Sequence, residues 1–383
     1  MWLFLEALDA WMFRDGKPFN AGEGHLASSM FPPTAHTIQG ALRTLLLDHL
    51  GVDLGTYLAG EARSDVYDLL GDPRDPRNPL GSFWLLGPFV ARRYGNDPDQ
   101  DPIERYLPLP QDVTAAKDAD LRFPTTSLKM LHPTNERIWV DGRYLHTLDV
   151  VPEGEPPDDL WIAEGAFERY LMGYDLTVGD CVHESDLFER EYRSGNAMDH
   201  TKRSVRAEEG MLYSGAFVRP AENVGLLVWV PDHIADVLPD QACWRIGGEG
   251  RSARLTKITD ASRVSPQSPF DYGWRSEARA KVVFLTPAYF RYGWLPDAVW
   301  FEDALQAAAL THPACLGGWD LARHRPRPIR RYVPVGSVYY LEFPNEWRPE
   351  GLLICDQPFA NSNTPIELPL DRLGLGQVAI GTW

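Results

Sequence analysis

Cysteine is scarce: the 383 residues hold four, Cys181, Cys243, Cys315 and Cys355, none in CxxC spacing. That scatter argues against a disulfide framework and a cysteine zinc site, and the expected compartment is the reducing cytoplasm. No apolar run approaches bilayer length, and Met1–Leu5 meets Glu6 too soon for a signal peptide, so neither a membrane span nor export is expected. Positive charge is also short, with 37 Lys and Arg against 54 Asp and Glu and a net charge of −17. So acidic a chain does not coat nucleic acid with its whole surface. Metal ligands do not cluster either: Cys181 and His183 make only two, and Asp97, Asp99 and Asp101 lack the rest of an EF-hand loop, so no metal or cofactor is expected.

What is present is segregated. Acidic residues crowd Asp97–Asp101 and Glu153–Asp159, while Lys202, Arg203 and Arg206 form one basic stretch and Arg323, Arg325, Arg327, Arg330 and Arg331 a denser one. Prolines between those arginines favour an extended arm, aimed at a protein partner or at backbone phosphates. Aromatics are generous, at 13 Trp and 15 Tyr, and serve packing as well as base stacking.

Two glycine loops each open a strand. Gly247, Gly248 and Gly250 with Arg251 lead into the alternating Ala253–Ile258, and Gly374 and Gly376 lead into Gln377–Ile380; glycine at such points permits positive φ or close approach of another backbone. Ahead of the first lie a strand over Met1–Ala7, a turn at Phe13–Phe19 carrying Arg14 and Lys17, and a helix over Ala35–Leu50. Ile38, Ala41, Leu42, Leu45 and Leu46 give that helix one apolar face, and Gly51 ends it. Its first turn presents His36, Gln39 and Gly40, with Arg43 a turn later; the pattern fits a phosphate at the helix N-terminus or a surface ion pair at Arg43.

Between Gly51 and Cys181 the pattern loosens and reads as an insertion, with a strand over Ser82–Val90 and a helix over Trp161–Met172. Order returns with strands flanking the basic loop at 194–206, a strand over Val224–Val230 and a short helix in Pro231–Leu238. A Ser/Pro/Gly linker, Ala261–Trp274, precedes a second round: a strand at Ala280–Leu285, a helix at Asp303–Leu310, strand material at Tyr332–Phe343 and the closing glycine loop. The expected class is therefore α+β: two ferredoxin-like βαββαβ domains, residues 1–260 with the insertion and residues 275–383 in degenerate form. Such folds often read single-stranded RNA on a sheet face or glycine loop.

The order of Phe13–Phe19, Gln39-Gly40-Ala41-Leu42-Arg43, Ala207–Tyr213, Ile246-Gly247-Gly248-Glu249-Gly250-Arg251, Leu316–Asp320, Val333–Tyr339 and the terminal Gly-Leu-Gly is similar to the RAMP superfamily. Within it the chain most resembles the third subunit of the CRISPR type III-B (Cmr) effector complex. The resemblance implies two RRM-like domains and a non-catalytic subunit that caps the 5′ repeat-derived tag of the CRISPR RNA. It also implies contact with the large polymerase-like subunit and the backbone RAMP subunits, with target RNA met only indirectly. By position, the two glycine loops would approach RNA or a neighbouring backbone, and Ser194–Arg206 would match a thumb-like hairpin. Two other readings stand beside it: an endoribonuclease using His25 or His36 with Arg43 on the phosphate, and a structural connector with little RNA contact.

Overall fold

A computed structural model describes residues 1–14, 26–75, 80–95, 97, 100–149, 154, 156–196, 198–199, 204–205, 212–267, 278–320, 325–343 and 373–383. The first strand, β1 (Trp2–Ala7), is buried from Trp2 to Leu5 because both faces of its sheet are covered. Leu3 and Leu5 meet α1 (Ala35–His49) through Ile38, Leu42, Leu45 and Leu46. Thr34 caps that helix, accepting from the Thr37 backbone N–H, and Gly51 follows its end at φ +68°.

Four antiparallel strands form the centre of the sheet. In order they are β2 (Leu86–Arg93), β3 (Val224–Trp229), β1 and β4 (Ser252–Ile258), with Val90 opposite Leu226 and Phe4 between Leu227 and Thr256. A one-turn helix, α2 (Asp232–Ala235), stands between β3 and β4 in the chain.

A second sheet repeats the plan. It comprises β5 (Arg279–Phe284), β6 (Leu305–Ala309), β7 (Val338–Glu342) and β8 (Val378–Gly381), in the order β6-β7-β5-β8, again antiparallel throughout. The helix α3 (Val299–Ala304) precedes β6 as α1 precedes β2. Along β5, Ala280, Val282 and Phe284 pack with Phe301 and Ala304 of α3, while Val283 points the other way. There it joins Val338, Tyr340 and Ala379 against Trp2, Phe4, Phe89 and Leu227 of the first sheet. The two sheets thus share a core, and the face of the first sheet opposite α1 is closed.

The stretch read as an insertion supplies strands to the first sheet. Ile103–Pro108, Leu160–Ala163 and Cys181–His183 extend it beyond β2, and Val264–Ser265, from the segment read as a linker, pairs in parallel with Ile103 and Glu104. A hairpin from the same stretch, Pro133–Val140 with Arg143–Leu148, reaches the second unit, where Leu145 joins the α3 core and Arg143 pairs with Glu302 at 3.1 Å.

Two helix assignments change. Trp161–Met172 divides into the strand Leu160–Ala163 and a helix over Glu164–Leu171, because Trp161 and Ile162 are buried in sheet pairing. Asp303–Leu310 likewise divides, since Leu305, Ala307 and Ala309 alternate into the core of a paired strand and pairing overrides alanine's helix preference. The strand expected from Ser82 begins at Leu86.

Candidate nucleic-acid interface

Between β2 and β3 the chain rises into a ribbon, Phe188–Asn196 paired with Leu212–Pro220 and continued by Met198–Asp199 with Ser204–Val205. An ion network ties its root down. Arg193, Arg219 and Arg251 all reach the Asp9 carboxylate, at 3.0, 2.9 and 2.9 Å, and Glu191 takes Arg193 and Arg219 at 2.5 and 2.6 Å. The Phe217 ring lies under two of these guanidiniums, Arg193 at 4.9 Å and Arg251 at 4.7 Å. Burial tends to raise the Asp9 carboxyl, but hydrogen bonds from Arg193 and Arg219 hold it below its usual range.

The first glycine loop sits beside this root. Gly248 donates its N–H to the Met12 carbonyl at 2.7 Å, and Gly247, at φ +72°, leaves no room for a Cβ, which would stand 2.4 Å from the same oxygen. Gly250 faces open space. Arg14 is exposed nearby, in a bridge to Ser29. The fold therefore gathers Arg14, Gly247, Gly248, Gly250 and Arg251, and adds Arg193 and Arg219, which the sequence reading missed; their signal was arginine alternating with aromatic residues in a hairpin. Lys17, His25, Lys202, Arg203, Arg206 and Arg323 lie outside the described residues.

A second ribbon occupies the corresponding place between β6 and β7. Ala314–Leu316 pairs with Arg330–Tyr332, and Trp319–Asp320 with Arg325–Pro326 beyond it. Arg325 and Arg331 are exposed, as are Trp319 at 58% and Ile329 at 52%. Arg330 lies 5.4 Å from the Tyr289 ring centre. The ribbon's root lines a cavity of about 250 Å³ between the units, where Ala314 and Leu316 meet Phe31, Thr34 and Trp161 beside the start of α1. His36 stands at that helix start, half-buried, and its imidazole is pushed down to about 3 by burial, with the Arg327 guanidinium adding to the effect.

Several expected RNA contacts serve the fold instead. Arg43 donates to the Leu70 and Leu80 carbonyls and lies over Phe83, because α1 runs beside the end of the helix Ser64–Leu70. Gln39 is buried, while Gly40 of that first turn is exposed. The second glycine loop is wholly inside: Gly374, at φ +79°, would place a Cβ 2.8 Å from the Leu85 oxygen and 3.0 Å from that of Gly87, and Gly376 donates to the Pro287 carbonyl at 2.9 Å. Of the two partners foreseen for Gly374 and Gly376, the neighbouring backbone is the one they meet. They join the units.

Nor did the sequence disclose the buried polar cluster at that junction. Tyr170 donates to Asp112 at 2.6 Å, the Tyr340 hydroxyl lies 2.8 Å from the same carboxylate, and the Lys281 ammonium rests 3.5 Å from the centre of the Tyr170 ring. Burial lowers Lys281 to about 8, with Asp112 partly opposing. Among the described residues, no group of three or more His, Cys, Asp or Glu is placed to hold a metal ion, and no helix is long and apolar enough to cross a membrane.

With this geometry in place, residues 3–383 match the family described as CRISPR-associated protein (Cas_Cmr3). The chain belongs to that family. It is accordingly a type III CRISPR effector subunit of the Cmr kind, as the resemblance implied. Among solved structures it is similar to a chain of the type III-B Cmr-beta complex bound to cognate target RNA and AMPPnP, with 16% identity, 89% of this chain and 86% of that one covered, and a TM-score of 0.50. A chain of the same complex bound to cognate target RNA gives 16% identity, the same coverage of 89% and 86%, and a TM-score of 0.49. At such identity the likeness speaks for fold alone. No curated protein matches the chain in sequence.

Proposed function

We propose that the chain is two ferredoxin-like units that hold the 5′ repeat-derived tag of a CRISPR RNA without cutting it, and that join the large polymerase-like subunit to the RAMP backbone. The observation that carries this reading is the repeated sheet order β2-β3-β1-β4 and β6-β7-β5-β8, each with a ribbon between its second and third strands in the chain. That is the strand order of a βαββαβ unit, used twice. The similar complex is one bound to cognate target RNA, which fits a place beside a guide.

Physical chemistry also favours binding over cleavage. A general base for a 2′-hydroxyl works best with a pKa near the operating pH, and an imidazole held near 3 has lost most of its basicity. Arg43, the expected phosphate partner, is engaged with the Leu70 and Leu80 carbonyls. The test uses a reconstituted effector whose guide carries a photoreactive nucleotide in its tag. Cross-links to this chain that weaken on replacing Lys202, Arg203 and Arg206 by alanine support the reading; tag cross-links only to other subunits refute it and favour a connector. Metal-free incubation with repeat RNA covers the remaining alternative, since cleavage lost in His36→Ala would make the chain a nuclease.

A further inference from the structure

We propose that the second ribbon, in its described residues 314–320 and 325–332, is a second arm for single-stranded RNA, the structural counterpart of the ribbon at 188–196 and 212–220; this rests on the two-unit reading above. Both ribbons lie in the connection between the second and third strands of their sheet, the first directly before the third strand and the second close to both. Each is an antiparallel pair continued by a shorter pair, the first much longer than the second. Their equivalence is one of connection and not of sequence.

Charge and shape then select the occupant. Among its described residues the ribbon carries Arg325, Arg327, Arg330 and Arg331 against Asp320 alone, on a chain whose net charge is −17. Arg331 stands beside exposed Cys315 on one strand pair, and Arg325 and Trp319 project from the next. Exposed guanidiniums interleaved with an exposed indole match what single strands offer, phosphates at intervals and bases with free faces. Arginine and tryptophan also recur at protein interfaces, so a protein partner is an explicit outcome of the test. The ribbon also does not stand free of the fold, because its root lines the cleft at the start of α1, where Arg327 acts on His36. A strand following the ribbon would be led towards the junction of the two units.

The experiment titrates full-length protein, alone and in the assembled effector, with labelled oligouridylate at increasing KCl. Arg325→Ala with Arg331→Ala should flatten the plot of log K against log salt by about 1.4 units, at about 0.7 per phosphate of a single strand. The Arg325→Lys, Arg331→Lys pair should restore the slope, which separates charge from folding. Trp319→Ala should weaken binding at least about fivefold while leaving the slope alone. An unchanged slope in the alanine pair overturns the proposal, as does a wild-type chain that binds no oligouridylate. So does a pair that binds RNA normally but no longer assembles with its partner subunits, which would make the ribbon a protein contact. Tag recognition is scored separately, by retention of tagged over untagged guides: loss of that preference with the salt effect intact rejects tag capping and spares the arm.

Discussion

Replacing Gly374 by alanine tests whether the closing glycine loop joins the units or touches a ligand. At φ +79° an L-residue pays about 1–2 kcal/mol for the left-handed backbone. The new methyl would also stand 2.8 Å from the Leu85 oxygen and 3.0 Å from the Gly87 oxygen, both main-chain atoms at the start of β2 that cannot rotate aside. Overpacking of that kind costs a further 1–3 kcal/mol or so, and the expected total is about 3 kcal/mol. Gly250→Ala is the control: its φ is +64° but nothing lies within 4 Å, so only the backbone cost of about 1 kcal/mol applies. Urea unfolding followed by tryptophan fluorescence should separate the variants by about 2 kcal/mol, or roughly 0.5 M in midpoint for a slope of about 4 kcal/mol/M at this chain length. Guide binding by folded Gly374→Ala should match wild type. Equal stability of the two variants, or a Gly374→Ala protein that keeps its stability and loses guide RNA, would show the joint assignment to be mistaken.

Two further outcomes follow from groups inside the fold. Arg105 and Glu164 form a fully buried pair at 2.8 Å, with Arg105 4.4 Å above the Phe89 ring, and burial holds the Glu164 carboxyl above its ordinary range despite Arg105. Arg105→Met should destabilise by about 3–5 kcal/mol by stranding Glu164, and adding Glu164→Leu should recover most of that in a double-mutant denaturation series. His36, neutral in the folded chain down to about pH 3, binds a proton in the unfolded chain below about 6.5. Stability from this site is therefore present above 6.5 and lost as pH falls from there towards 3. His36→Gln should flatten that part of the stability-against-pH curve, and Arg327→Gln should raise the His36 titration seen by NMR; a curve unchanged by His36→Gln would contradict the burial assigned to this ring.

Local signals carried the fold where one element sets its own pattern. The spacing of Ile38, Leu42, Leu45 and Leu46, the Thr34 cap and Gly51 define α1 with no help from the rest of the chain. Strand β6 is different, since Ala307, Ala308 and Ala309 favour helix and only pairing with Tyr340, Tyr339 and Val338, some thirty residues on, makes them a strand. The same holds between Gly51 and Cys181, where sheet edges form by pairings remote in sequence. Site residues divide likewise. Glycine at 247, 250, 374 and 376 is required by positive φ, which the sequence foresaw, but whether the approaching group is RNA or backbone depends on the position of Leu85 and Met12.

The packing of the two sheets bears on how such a chain can meet RNA at all. In an isolated ferredoxin-like unit one sheet face carries a helix layer and the other is open, with aromatics available for stacking. Here Trp2, Phe4 and Phe89 would occupy that face in the first unit and Tyr340 in the second, and all four are within 2% of complete burial against each other's sheets. Opening the faces would expose that shared core, at about 25 cal/mol for each Å² of apolar surface returned to water, so the cost far exceeds what stacking a few bases returns. On the proposed function, RNA recognition is left to whatever projects past the sheets. In both units that is the connection between the second and third strands, and it is there that arginine outnumbers acid on the described part of the second ribbon and that three arginines crowd Asp9 and Glu191 at the root of the first.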